Sequence, residues 1–184
     1  MLGDFYLADD YIEQAFRYCS GLEDSLNYAF VLLMGSLISV FDGNPEALKL
    51  GLKQYSIGLE LCRKNKYFIN WSIYFISASL YMSLVPEDPS YGVKALSEID
   101  KAIGVYEENQ DGWYTPEYLL ILASQVYCAN KLLDKDDDYL RQAYERLMLA
   151  AGNTKDDDLR ASFLENVRWN RQILAEAKAY GIAA

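Results

Sequence analysis

The stretch Leu52-Lys53-Gln54-Tyr55-Ser56-Ile57-Gly58-Leu59-Glu60-Leu61-Cys62-Arg63-Lys64-Asn65 decides the fold, because its pattern returns twice downstream. A step of 44 positions, from 52 to 96 to 140, links Leu52, Leu96 and Leu140. The same step links Tyr55, Ile99 and Ala143, then Leu59, Ile103 and Leu147, then Asn65, Asn109 and Asn153. One step upstream falls on Ala8, Tyr11, Ala15 and Gly21. A fixed period of this size marks stacked structural units, none of which can bury its apolar face alone. Leu52, Tyr55, Leu59 and Cys62 lie at i, i+3, i+7 and i+10, one stripe of an α-helix. Leu96, Ile99, Ile103 and Tyr106 form that stripe again. Gly58 and Ala102 are small at a shared position, which admits a neighbouring helix at close range. Arg146 interrupts the rule in the next unit, so packing is expected to loosen or change there.

Helix starts are marked outward from this stretch. Asn44-Pro45-Glu46, Asp88-Pro89 and Thr115-Pro116-Glu117 each place a polar cap before a proline. The cap accepts from free N–H groups, and proline occupies a position where its missing N–H costs nothing. The acidic runs Asp134–Asp138 and Asp156–Asp158 suit the positive end of a helix dipole. First helices of successive pairs are predicted at about 5–20, 45–64, 89–108 and 136–152. Their partners are predicted at about 24–41, 66–84, 116–133 and 157–166, with a last helix at about 169–181. The partner helices carry small residues midway, Gly35-Ser36, Ala78-Ser79 and Ala123-Ser124. The expected fold is all-α: one domain over 1–184, with units of roughly 1–43, 44–87, 88–133 and 134–184, wound into a superhelix.

Composition narrows the function. With 52% hydrophobic residues the 184-residue chain can build a continuous core. Seventeen basic and 27 acidic residues give a net charge of −10, which disfavours direct nucleic-acid binding and docking on anionic membranes. Residues 25–41 and 67–86 carry no charge. A helix sandwiched between others is also apolar nearly all round, and that reading is preferred to a membrane span. The N-terminus lacks the charged and apolar regions of a signal peptide. Cys19, Cys62 and Cys128 form no C-x-x-C pattern, which suits small core residues in a reducing, cytoplasmic compartment.

The chemistry is sparse. There is no histidine to act as general base. Cys62 precedes Arg63 and Lys64, but a helix interior accounts for it better than nucleophilic catalysis. No phosphate-binding glycine motif occurs, and Asp134–Asp138 lacks the glycine of a calcium loop. No cofactor, metal or catalytic residue is expected. Aromatic residues are abundant, with 16 Tyr, 7 Phe and 3 Trp. Tyr67, Trp71, Tyr74 and Tyr81 share one helix face and are expected to pack between helices. Trp113, Tyr114 and Tyr118 lie beside a loop and are candidates for binding a partner or ligand. Arg146 and Trp169, where the repeat departs from its pattern, join them.

Residues Val93-Lys94-Ala95-Leu96, Ala102-Ile103 and Gly112-Trp113-Tyr114-Thr115-Pro116-Glu117-Tyr118 resemble the tetratricopeptide-like arrays at the C-terminal end of large bacterial regulators. These are the MalT-like transcription activators and their ATPase- or cyclase-linked relatives. Leu159-Arg160-Ala161-Ser162-Phe163-Leu164-Glu165-Asn166-Val167 and Asn170-Arg171-Gln172-Ile173-Leu174 look like the terminal helix pair of such arrays. Arg168-Trp169 stands where that family usually has proline and an acidic residue. The resemblance implies a right-handed αα-superhelix of about four helical hairpins with a C-terminal capping helix. It also implies a non-catalytic module that contacts another protein or peptide in signalling or transcription control. A stand-alone adaptor and an excised C-terminal domain both fit. The alternative is a small-molecule effector sensor with an aromatic-lined groove. The apolar N-terminal helix, with Phe5, Tyr6, Leu7, Tyr11 and Phe16, looks poorly capped. Any homodimer, or any preceding repeat, is expected to contact that helix pair.

Overall fold

The computed structural model describes residues 5–19, 21, 26–67, 70–109 and 116–183. These residues are all-helical, with no strand among them. Contacts divide the chain into two compact units, Leu2–Asp111 and Gly112–Ala184.

The N-terminal unit holds α1 (Phe5–Tyr18), α2 (Leu26–Asp42), α3 (Pro45–Lys64), α4 (Trp71–Leu84) and α5 (Ser90–Glu108). Its helices pack in neighbouring pairs. The closest pairs are α2 with α3 and α4 with α5, while α4 also rests on α2 and α3. This pairing is offset by one helix from the one the caps suggested. The reason lies in the connections and the small residues. Only Gly43 and Asn44 separate α2 from α3, and short connections make antiparallel neighbours. Gly43 takes φ of 70°, which its lack of a Cβ permits. At Gly58 a Cβ would stand 3.1 Å from Leu33 and 3.2 Å from the Ala29 carbonyl oxygen. The close approach expected at Gly58 is therefore made by α2. Gly51 is tighter still: a Cβ there would lie 2.8 Å from Ser39 Cβ and 2.9 Å from Leu80 Cδ2.

The apolar stripes point inward as their spacing requires. Tyr55, Leu59 and Cys62 are buried on α3, as are Ile99, Ile103 and Tyr106 on α5. Trp71 is wholly buried and meets Phe75 and Tyr106 edge-on, with both ring centroids 6.2 Å away. Tyr81 instead stacks on Tyr91, and the Lys94 ammonium sits 4.5 Å from the Tyr91 ring centre. Three of the caps are direct. Asn44 accepts from the Glu46 N–H at 2.9 Å, Asn70 from the Ser72 N–H at 3.1 Å, and Asp88 from the Ser90 N–H at 2.8 Å. Those bonds from Ser90, backbone first and hydroxyl next, hold the Asp88 carboxyl below its ordinary range. Among the described residues no helix is long and apolar enough to cross a membrane.

The C-terminal unit holds α6 (Pro116–Ala129), α7 (Leu133–Gly152), α8 (Asp157–Asn166) and α9 (Arg168–Ala179). α6 packs along α7, and α9 touches α6, α7 and α8. Leu120, Ile121, Leu140, Ala143, Leu147 and Ile173 form its core. Asp156 caps α8 by accepting from the Leu159 N–H at 2.9 Å. α7 starts before the position its acidic run suggested. Asp136 therefore lies at the end of the first turn, where it is only 1% exposed.

Candidate functional site

The candidate residues Tyr118 and Trp169 meet in the C-terminal unit. Pro116 opens α6, which sets Glu117 and Tyr118 in its first turn. A negative charge there is favourable against the helix dipole. At the other side, Val167 is extended (φ −83°, ψ 120°), so α8 ends and α9 begins at Arg168. Asn170, 2% exposed, donates from Nδ2 to the Phe163 carbonyl at 2.9 Å and ties α9 to α8. The Trp169 ring then stacks on Tyr118, with centroids 5.8 Å apart and planes inclined at 29°. Such a pair contributes about 0.5–1.5 kcal/mol beyond its buried area.

Between these elements lies a cavity of about 60 Å³, lined by Glu117, Tyr118, Leu147, Ala150, Phe163 and Asn170. Glu117 Oε2 is sealed from solvent and receives no hydrogen bond. A carboxylate oxygen in that position is costly to leave unsatisfied. Among the described lining residues α7 supplies Leu147 and Ala150, not Arg146, which is half-buried elsewhere on that helix. Trp113 and Tyr114 lie outside the described residues.

The other end of α6 carries a polar cluster that the sequence reading missed. Ser124 donates to Asp136 Oδ1 at 2.9 Å, and the Tyr180 hydroxyl donates to Asp136 Oδ2 at 3.1 Å. The Cys128 thiol lies 3.6 Å from the same phenol oxygen. Contact with Cys128, then burial and Asp136, push the Tyr180 phenol above its ordinary range. Gln125 and Gln172 both donate to Glu176 Oε1, at 2.6 Å and 3.1 Å. Together these bonds fasten α9 to α6 and α7 around a cleft of about 340 Å³. The period held the signal. Asp136 falls in register with Leu48 and Gly92, and Glu117 with Ala29 and Ile73, and all four of those positions are buried.

Cys19 and Cys62 are buried, whereas Cys128 is exposed. Burial pushes the Cys62 thiol up, which suppresses the thiolate a nucleophile needs. Among the described residues no cluster of His, Cys, Asp and Glu is arranged to hold a metal ion. In the N-terminal unit a groove of about 390 Å³ opens between α1 and α3 over α2. Ile12, Phe16, Ile38 and Leu50 line it, with Glu13 and Asp42 alongside. No protein-family model matches the chain, and no curated protein or solved structure matches it either.

Proposed function

We propose that this chain is a non-catalytic interaction module of the tetratricopeptide-like type, built to hold another protein or peptide. In this reading its helix pairs continue as a right-handed superhelix and serve a bacterial signalling or transcription-regulatory system in the cytoplasm. The observation that carries the proposal is the groove over α2. It combines apolar walls with acidic neighbours, and Leu50 stands 54% exposed within it. An amphipathic helix with a basic flank fits such a groove through its i, i+3, i+4 and i+7 side chains. Tyr11 and Tyr18 on α1, 62% and 83% exposed, extend the aromatic surface that interfaces favour. A second copy of the chain is the competing occupant.

The test is affinity capture from the source cell with the full chain and with Leu50→Asp. Leu50 is exposed, so the substitution leaves the core intact. A partner held by the wild type and lost by the variant supports the reading. Equal capture by both, or a concentration-dependent dimer abolished by the variant, assigns the groove otherwise. The second reading, a small-molecule sensor, is favoured by one specific observation: the unsatisfied Glu117 oxygen beside the Tyr118–Trp169 stack.

A further inference from the structure

We infer that the groove over α2 selects a helix that carries one carboxamide or hydroxyl side chain within its apolar face and a lysine or arginine seven residues away. The first meets the Gln54 carboxamide, and the second meets Asp42. This rests on the groove reading above and specifies which helices the groove accepts.

The floor sets the spacing. Gly35, Ile38, Ser39 and Asp42 line the groove at i, i+3, i+4 and i+7 of α2, so it runs along that helix for two turns. Gln54 reaches across from α3. A Cβ at Gly35 would lie 3.1 Å from Gln54 Oε1 and 3.5 Å from its Nε2, so glycine lets the carboxamide rest on α2 there. Asp42 stands seven residues further on, about 10.5 Å along the axis. A partner helix lying along the floor covers that distance in seven of its own residues, which bring its side chains back to the same face.

The chemistry at both marks is open. Among the described residues Gln54 makes no hydrogen bond. Its side chain is half-buried, and neither end of its carboxamide is among the polar atoms sealed from solvent without a partner. The group is therefore within reach of a ligand in the groove that Gln54 lines, with a donor and an acceptor to offer. Ser39 does not compete, since its hydroxyl donates to the Gly35 carbonyl at 3.1 Å. Phe16, Ile38 and Leu50 make the rest of the wall apolar. A helix with only apolar side chains would cover the carboxamide and leave it unpaired, a penalty that one polar residue at that place removes. Charge follows the same logic. Glu13 is already paired with Arg17 at 3.3 Å. Asp42 is exposed, forms no ion pair among the described residues, and ends a helix whose last turn holds no basic residue. A complementary charge opposite it fixes register more than it adds affinity.

The experiment is selection from a displayed library of amphipathic helices, randomised along one face, against the full chain and against Leu50→Asp, Gln54→Leu and Asp42→Lys. Helices kept by the wild type and lost by Leu50→Asp are those seated in the groove. They are expected to carry Gln, Asn, Ser or Thr seven positions from Lys or Arg. One such helix, synthesised and titrated, should bind Gln54→Leu at least about tenfold more weakly than the wild type. Selection on Gln54→Leu should return an apolar residue at the polar place, and selection on Asp42→Lys should replace Lys or Arg by Asp or Glu. Asp42 is exposed, so its variant decides the matter if circular dichroism shows that Gln54→Leu does not fold. Groove-seated helices that lack either member of the pair, or that ignore the folded variants, overturn this inference and leave the groove reading standing. Helices selected equally by the wild type and Leu50→Asp, or no helix selected at all, overturn both.

Discussion

Two glycine-to-alanine substitutions in the N-terminal unit should change stability in opposite directions. Gly104 lies within α5, and a Cβ added there meets nothing within 4 Å. Alanine at an interior helix position is favoured over glycine by about 0.8–1.0 kcal/mol, so Gly104→Ala should stabilise by that amount. Gly51 lies within α3 and gains the same propensity term. Its new methyl, however, would stand 2.8 Å from Ser39 Cβ and 2.9 Å from Leu80 Cδ2. Both neighbours are held in the interior, with Leu80 wholly buried. Overpacking of this kind costs about 1–3 kcal/mol, which offsets the propensity gain and leaves a net loss of up to about 2 kcal/mol. Thermal melts in a chain of this size convert each kcal/mol into roughly 2–4 °C. Gly104→Ala should therefore melt higher by about 2–4 °C and Gly51→Ala lower by up to about 8 °C. Adding Ser39→Gly to Gly51→Ala removes the nearer clash and should recover part of the loss, a coupling visible in a double-mutant cycle. Equal shifts of the same sign at Gly51 and Gly104 would refute the claim that Gly51 sets the approach of α2 to α3.

Three further outcomes follow from the caps and the two phenols with raised titration ranges. Asn44→Ala removes the side-chain acceptor at the start of α3 and should lower urea-unfolding stability by about 1 kcal/mol, whereas Asn44→Asp should be nearly neutral. Tyr180→Phe takes a donor from the buried Asp136 and should cost about 1–2 kcal/mol, with hydrogen exchange in α9 accelerating first. The third concerns pH. Burial first, then the charge of Glu98, raises the Tyr55 phenol above its ordinary range, and Tyr180 is raised as well. A raised folded-state value means the protonated phenol favours the fold. That contribution is full below about pH 10 and is lost as pH climbs through the raised values. Denaturation midpoints should fall steeply above about pH 10, and Tyr55→Phe should flatten the fall. A profile unchanged by that substitution would contradict the assignment.

Much of the fold was legible because local and repeating signals agreed. The Asn44 cap, the α3 and α5 stripes and the close approach at Gly58 all appear where spacing placed them. The phase of the helix pairs was not legible. A period states how often a pattern returns, not which neighbour a helix prefers. The two-residue link at Gly43-Asn44 and the tightness at Gly51 decide that. The site was half legible. Tyr118 and Trp169 were singled out separately, but nothing in the sequence announces a contact between residues 118 and 169. Glu117 was read as part of a helix start and Asp136 as one of a run of acids at the positive end of a helix dipole. The register nevertheless placed both opposite core positions. Local composition hid what the longer period disclosed. Asn170 had no such guide, since α9 stands outside the repeated pattern.

The carboxylates at core register positions have a consequence for how such chains are recombined. Ser36, Leu80 and Ser124 occupy one equivalent place, but only Ser124 faces an acid, Asp136. Moving α6 and α7 into the place of α2 and α3 would strand that acid without Tyr180, which comes from the chain's far end. The units look like interchangeable cassettes when aligned, and they are not. Each polar insertion into the shared pattern makes its unit dependent on one particular neighbour. Shuffling, duplicating or deleting units in this chain is therefore constrained at the C-terminal end. The more uniformly apolar α2–α5 segment is the natural source of parts for a longer array.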